Sequence, residues 1–328
     1  MFAFERWLRP AIGVMGCAVL GAVCVPDPAG AAPTLQMRAV VRADGTLARG
    51  QGVISAQRLE VGTYTVKFEQ PVSGCAYEAT PGDPGTDGIG GSPEVTVASQ
   101  NATPKGVFVQ TFDQTTGVPT DMPFHITTYC GKKGDYAVVG DDGTLARGAH
   151  ATASDQIRPG EFEVFFDHDV HECAFTATIG TTSTGEVVNP GVISVAARAQ
   201  VPNGVFVKTL NRFGNDANFP FHLAVDCSST SLTAVVFSDG RLARGHHAVT
   251  AGRVNRVART GAYEVIFDRD VSLCTYTASL GDPGDGAFVF PATIQVARRL
   301  GRPKGVFLAV ENAAGGVRDA GFHLKVTC

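Results

Sequence analysis

The densest run of side chains able to do chemistry is Asp167-His168-Asp169-Val170-His171-Glu172. Imidazole nitrogen is a donor that zinc takes, so His168 and His171 could ligate a metal if a third group came from elsewhere in the chain. The related stretches Glu69-Gln70-Pro71-Val72-Ser73-Gly74 and Asp268-Arg269-Asp270-Val271-Ser272-Leu273 carry no histidine. A metal site here would be private to one region. A solvated turn is the simpler reading, and no metal ligand is assigned. The pair His246-His247 raises the same question more faintly.

Two loops, Gly82-Asp83-Pro84-Gly85-Thr86-Asp87-Gly88 and Gly281-Asp282-Pro283-Gly284-Asp285-Gly286, cluster carboxylates of the kind that suit calcium. Neither has the full ligand spacing of a calcium loop. The related stretch Gly180-Thr181-Thr182-Ser183-Thr184-Gly185 has no acid at all. Asp83, Asp87, Asp282 and Asp285 are turn formers first, and calcium is carried as a candidate cofactor at those four positions only. No catalytic residue is assigned, because Gly-x-Ser-x-Gly, His-Glu-x-x-His and a phosphate-binding glycine loop are all missing from the sequence. Asn101-Ala102-Thr103 fits a glycosylation sequon by pattern alone.

Six further polar residues recur at a fixed spacing: Arg49, Arg147 and Arg244, and His125, His222 and His323. A residue copied three times serves either the fold or a surface present in every copy. Salt bridges or strand-end hydrogen bonds are the first expectation for the arginines, and a satisfied structural side chain for the histidines. All six are also carried as candidates for a shared binding surface.

The elements that must position these residues come in three copies. Asp44-Gly45-Thr46-Leu47-Ala48-Arg49-Gly50 returns as Asp142-Gly143-Thr144-Leu145-Ala146-Arg147-Gly148, then as Asp239-Gly240-Arg241-Leu242-Ala243-Arg244-Gly245. Gly106-Val107-Phe108 returns as Gly204-Val205-Phe206 and Gly305-Val306-Phe307, and each copy closes on Phe-His and a cysteine. The copies span 32–130, 131–227 and 228–328. Each is too long for a solenoid repeat and suits a domain with its own core. The joins Gly131-Lys132-Lys133-Gly134 and Ser228-Ser229-Thr230-Ser231 read as short linkers, compatible with beads or with a stiff rod.

Residues 1–31 differ from the rest. Arg6 and Arg9 precede an apolar run from Ala11 to Val25, and small residues follow at Ala29-Gly30-Ala31. This reads as a secretory signal peptide, too short for a membrane span. Cys17 and Cys24 leave with it. Six cysteines remain, and a self-contained repeat has to close its own bridge. The pairs are then Cys75–Cys130, Cys173–Cys227 and Cys274–Cys328. An exported chain supports them, and each closed loop contributes roughly 4 kcal/mol on the chain-entropy model.

Tyr64, Val66 and Phe68 alternate with Thr65 and Lys67, the period of a half-buried strand. Phe221, Leu223, Val225 and Cys227 alternate in the same way with His222, Ala224 and Asp226. Asp-Gly pairs and isolated glycines punctuate the strands. The fold class is all-β: three tandem homologous β-sandwich domains, jelly-roll-like or immunoglobulin-like, with one disulfide each. The sole tryptophan, Trp7, lies in the leader, so the Cys…Trp…Cys pattern of immunoglobulin domains is missing. A net charge of -4 argues against nucleic acid as a partner held by bulk charge. Triplication suits avidity, and loops on a rigid scaffold carry recognition. The expectation is a secreted or cell-envelope protein, not an enzyme, that binds an extracellular glycan or a cell-surface protein, or acts as a spacer, with no membrane span in the mature chain. The turns 80–94, 179–190 and 280–290 are the first places to look. The alternative is a secreted hydrolase acting on a polysaccharide or envelope polymer.

Overall fold

Alternating apolar side chains build strands that put Tyr64, Val66 and Phe68 into a core, with Lys67 left outside. A computed structural model describes residues 36–328 apart from 87, 89–90, 133, 186–188, 255–259, 286–290 and 313. The leader, with Cys17 and Cys24, lies outside the described residues.

The first region holds β1 (Arg38–Val41), β2 (Leu47–Gln51), β3 (Val53–Glu60), β4 (Thr63–Phe68), β5 (Ala76–Pro81), β6 (Pro93–Ser99), β7 (Gly106–Asp113), β8 (Val118–Pro119) and β9 (Phe124–Tyr129). The second holds β10 (Asp135–Val139), β11 (Leu145–Ala149), β12 (Ala151–Arg158), β13 (Glu161–Phe166), β14 (Ala174–Thr184), β15 (Gly191–Ala197), β16 (Gly204–Asn211) and β17 (Phe221–Asp226). The third holds β18 (Leu232–Val236), β19 (Leu242–Arg244), β20 (Ala248–Arg253), β21 (Ala262–Phe267), β22 (Thr275–Asp285), β23 (Ala292–Arg298), β24 (Gly305–Asn312) and β25 (Phe322–Thr327).

The fold is all-β, with several mixed sheets and three disulfides. In the first region β2-β1-β9-β5 form one sheet, and β6-β7-β4-β3 run through another. The two sheets face each other across one core that includes Val41, Tyr64, Phe68, Tyr77, Val109 and Phe124. The same pairings recur downstream: β1–β9 is matched by β10–β17 and β18–β25, and β4–β7 by β13–β16 and β21–β24. Each matched set encloses its own core. Cys75–Cys130, Cys173–Cys227 and Cys274–Cys328 are bonded, with Cα atoms 4.5, 4.5 and 4.3 Å apart. The first extends the β5–β9 pairing by one residue beyond Ala76 and Tyr129, so it ties neighbouring strands of one sheet rather than two sheets.

The three regions are not separate beads. Thr34–Cys328 is one compact unit. β14 runs parallel to β6, β15 runs parallel to β22, and Gly82 bridges in parallel to Val296. The second region thus joins the first, the third joins the second, and the first joins the third. A ring results. Gly82, Gly180 and Gly281 stand at the three contacts, where a Cβ would collide with the carbonyl oxygen of Val296, Val97 and Val195 respectively. The faces of β9, β17 and β25 turned away from the cores are buried as well, because a neighbouring region covers them.

Candidate functional site

The repeated histidines and arginines all lie at the ring junctions. The backbone N–H of Tyr77 donates to His222 Nδ1 at 2.9 Å, that of Phe175 to His323 Nδ1 at 3.0 Å, and that of Tyr276 to His125 Nδ1 at 3.0 Å. Each ring also stacks on the aromatic residue whose N–H it accepts. An accepting Nδ1 has no proton, so Nε2 carries it and faces the carbonyl of Thr181, Asp282 or Asp83 at 3.0 to 3.5 Å. All three imidazoles are wholly buried. Burial first, and then the adjacent arginine, hold each pKa down to about 3.

The arginines follow the same cycle. Arg147 Nε donates to the Cys75 carbonyl at 3.1 Å and Arg49 Nε to that of Cys274 at 3.0 Å. Arg244 reaches the Glu172 and Cys173 carbonyls at 3.1 and 3.2 Å. A second nitrogen on each clamps its own region's loop at Thr182, Pro84 or Pro283. These six candidates for a shared binding surface therefore make their contacts inside the chain. Asp83 and Asp282 cap their own turns, each accepting the N–H two residues on. Asp87 and the side chain of Asp285 lie outside the described residues.

The second region holds a cluster that the other two lack. His150 sits between β11 and β12 with φ 61°, where Gly52 stands in the first region at φ 65°. The matched His247 of the third region has the same φ of 61°, so this backbone conformation is shared by the units. His150 Nδ1 lies 3.0 Å from Asp167 Oδ2, and His168 Nδ1 lies 2.7 Å from Asp167 Oδ1. The outer nitrogens are held too. His150 Nε2 donates to the Lys132 carbonyl at 2.9 Å, and His168 Nε2 stands 3.4 Å from Asp135 Oδ2. The Lys132 carbonyl can only accept, so His150 Nε2 carries a proton, whereas the short contact to Asp167 Oδ1 places the His168 proton on Nδ1. Both Nδ1 atoms face the Asp167 carboxylate, and one ligand atom from each of the three groups lies within 4.8 Å of the others. His150, with Nε2 donating to Lys132, needs a second proton on Nδ1, or a metal ion in its place, to face this carboxylate. Its hydrogen bond to Asp167 raises the His150 pKa.

The third region shows what fills that gap when the sequence supplies a cation. His247 Nδ1 lies 2.6 Å from Asp268 Oδ2, and Arg269 stands where His168 stands. Arg269 donates to Asp268 Oδ1 at 2.8 Å and to His247 Nδ1 at 2.7 Å. Among the described residues no guanidinium contacts the cluster of the second region. That region also has Asp135 where its relatives have the buried Met37 and Leu232. Burial raises the Asp135 pKa.

Comparisons with protein-family models, curated proteins and solved structures find no match for this chain.

Of the sequence candidates, His168 belongs to the cluster and His171 does not. Cys227 Sγ lies 4.0 Å from His168 Nε2, but its bond to Cys173 leaves no thiolate to ligate a metal. Sequence reasoning missed His150, 18 residues upstream of His168, and Asp135. Subtracting the three copies from one another would have exposed Asp135, the one acid in a column otherwise occupied by Met37 and Leu232.

Proposed function

We propose that the chain is an exported metalloprotein. After loss of the signal peptide 1–31, three homologous β-sandwich units, 32–130, 131–227 and 228–328, close a ring that serves as scaffold. The middle unit carries a divalent transition-metal site formed by His150 Nδ1, His168 Nδ1 and the Asp167 carboxylate. The Lys132 carbonyl and the Asp135 carboxylate orient the two imidazoles from behind, as outer-shell acceptors do for metal-bound histidine. The observation that carries this reading is the contrast with Arg269: where the third unit fills the triangle with its own cation, the second places another imidazole nitrogen, a metal donor.

Two imidazoles and a carboxylate leave coordination positions for water and substrate. A metal there would lower the pKa of its bound water and supply a nucleophile near neutral pH. That favours the hydrolase reading, with an extracellular polysaccharide or other envelope polymer as substrate, over adhesion through the repeated side chains. The burial of the three histidines and the contacts the half-buried arginines make within the chain weigh against an adhesive surface built from them.

Calorimetric titration with zinc chloride tests the site. The wild-type protein should bind one Zn²⁺. His168→Arg, which installs the third unit's residue, should keep the apo melting temperature within a few degrees and abolish binding. Zinc binding that survives His168→Arg would refute the site. Binding of an envelope glycan without metal and without turnover would return the function to adhesion.

A further inference from the structure

On the axis of the ring the three units leave a small, partly open cavity of about 60 Å³. Its lining comes in threes. Pro81, Ile179 and Leu280 hold one matched position and Glu94, Val192 and Thr293 another. Most of that wall is aliphatic. Thr80, Thr178 and Ser279 also reach it, but each hydroxyl is already engaged by a neighbouring unit's backbone.

Glu94 breaks the pattern. It is 5% exposed, and neither carboxylate oxygen has a hydrogen-bond partner. Burial raises its pKa well above the carboxylate range, opposed only by the field of Arg212. Arg212 itself donates to the Thr115 carbonyl at 3.1 Å and lies over the Phe213 ring. An unpartnered buried carboxyl is destabilising, and the matched Val192 and Thr293 show that the fold does not need an acid there. A residue that breaks a local rule without structural gain marks a site.

We propose that this axial cavity binds a small organic ammonium ion, paired with the Glu94 carboxylate and enclosed by the aliphatic walls. A metal ion would need several oxygen ligands, and among the described residues only one carboxylate lines the cavity. A short alkylammonium satisfies both the acid and the apolar surface. The site is independent of the metal centre in the second unit.

The test is calorimetric titration of the leader-free chain with n-propylammonium chloride, and with n-propanol as the uncharged counterpart. Saturable one-to-one binding of the ammonium is expected, with no binding of the alcohol. Glu94→Gln should weaken the ammonium at least ten-fold. Glu94→Val, which copies Val192, should fold, melt higher and bind none. His168→Arg should leave the affinity unchanged. The proposal fails if the wild type gives no saturable ammonium binding, if propanol binds equally well, or if Glu94→Val retains the affinity.

Discussion

At His222 one imidazole accepts the Tyr77 N–H, faces the Thr181 carbonyl and stacks on the Tyr77 ring. Protonating Nδ1 would set two donors against each other in a wholly buried site. The three junction histidines should therefore stay neutral in the folded protein. Proton NMR should find three of the eight histidines without titration between pH 8 and pH 4.5, held as the Nε2–H tautomer. In the unfolded chain the same groups protonate near 6.5, so the unfolded state takes up more protons as pH falls. Their stabilisation is complete above that pH and lost below it, by about 4 kcal/mol for the three together at pH 5.5. Glu78 and Glu94, whose buried carboxyls have raised pKa values, act with the opposite sign and offset part of the loss. The repetition of these histidines was plain in the sequence. Their partners were not, because each lies about 150 residues away in another copy, and no local pattern encodes that distance.

At the level of elements, the ring answers a problem of sheet edges. β5 is an edge strand of its sheet, and an uncovered edge is a template for aggregation. The second unit covers it with side chains. Thr178 Oγ1 accepts the Ala79 N–H at 2.9 Å and donates to the Ala79 carbonyl at 3.1 Å, mimicking a paired strand with one hydroxyl. Ser279 does the same for Ala177, and Thr80 for Ala278. Thr178→Val keeps the shape and removes both bonds, together with the hydroxyl's 3.2 Å contact to Glu78 Oε2. It should cost about 1–3 kcal/mol in urea denaturation and speed hydrogen exchange at the Ala79 amide. Thr152→Val, at an exposed hydroxyl on β12, should change stability by less than about 0.5 kcal/mol. Strand positions were legible from alternation, as at Tyr64, Val66 and Phe68. Burial of the opposite faces was not, because Ala76, Thr80, Ala174 and Thr178 are small or polar and read as half-exposed until a neighbour is placed on them.

For the molecule as a whole, interlocked units should not unfold one at a time. Lys325 of the third unit pairs with Asp226 of the second at 2.5 Å and lies 4.5 Å from the Tyr129 ring of the first, all three buried. A buried pair of this kind, drawn from three units and repeated in none, can fix which unit sits beside which. Scanning calorimetry should show one transition with matching calorimetric and van't Hoff enthalpies. Three resolved transitions would mean three independent beads. Three copies of a motif reveal that the units are alike and leave their arrangement open. The same likeness points attention at shared residues, whereas His150, Asp135 and Glu94 stand out only as exceptions to it. The claim that the middle unit holds a metal is tested most directly by X-ray absorption on the zinc-loaded protein. Two imidazole nitrogens near about 2.0 Å with oxygen completing the shell is the expected result. A shell without histidine, or one that is the same in His168→Arg, would contradict it.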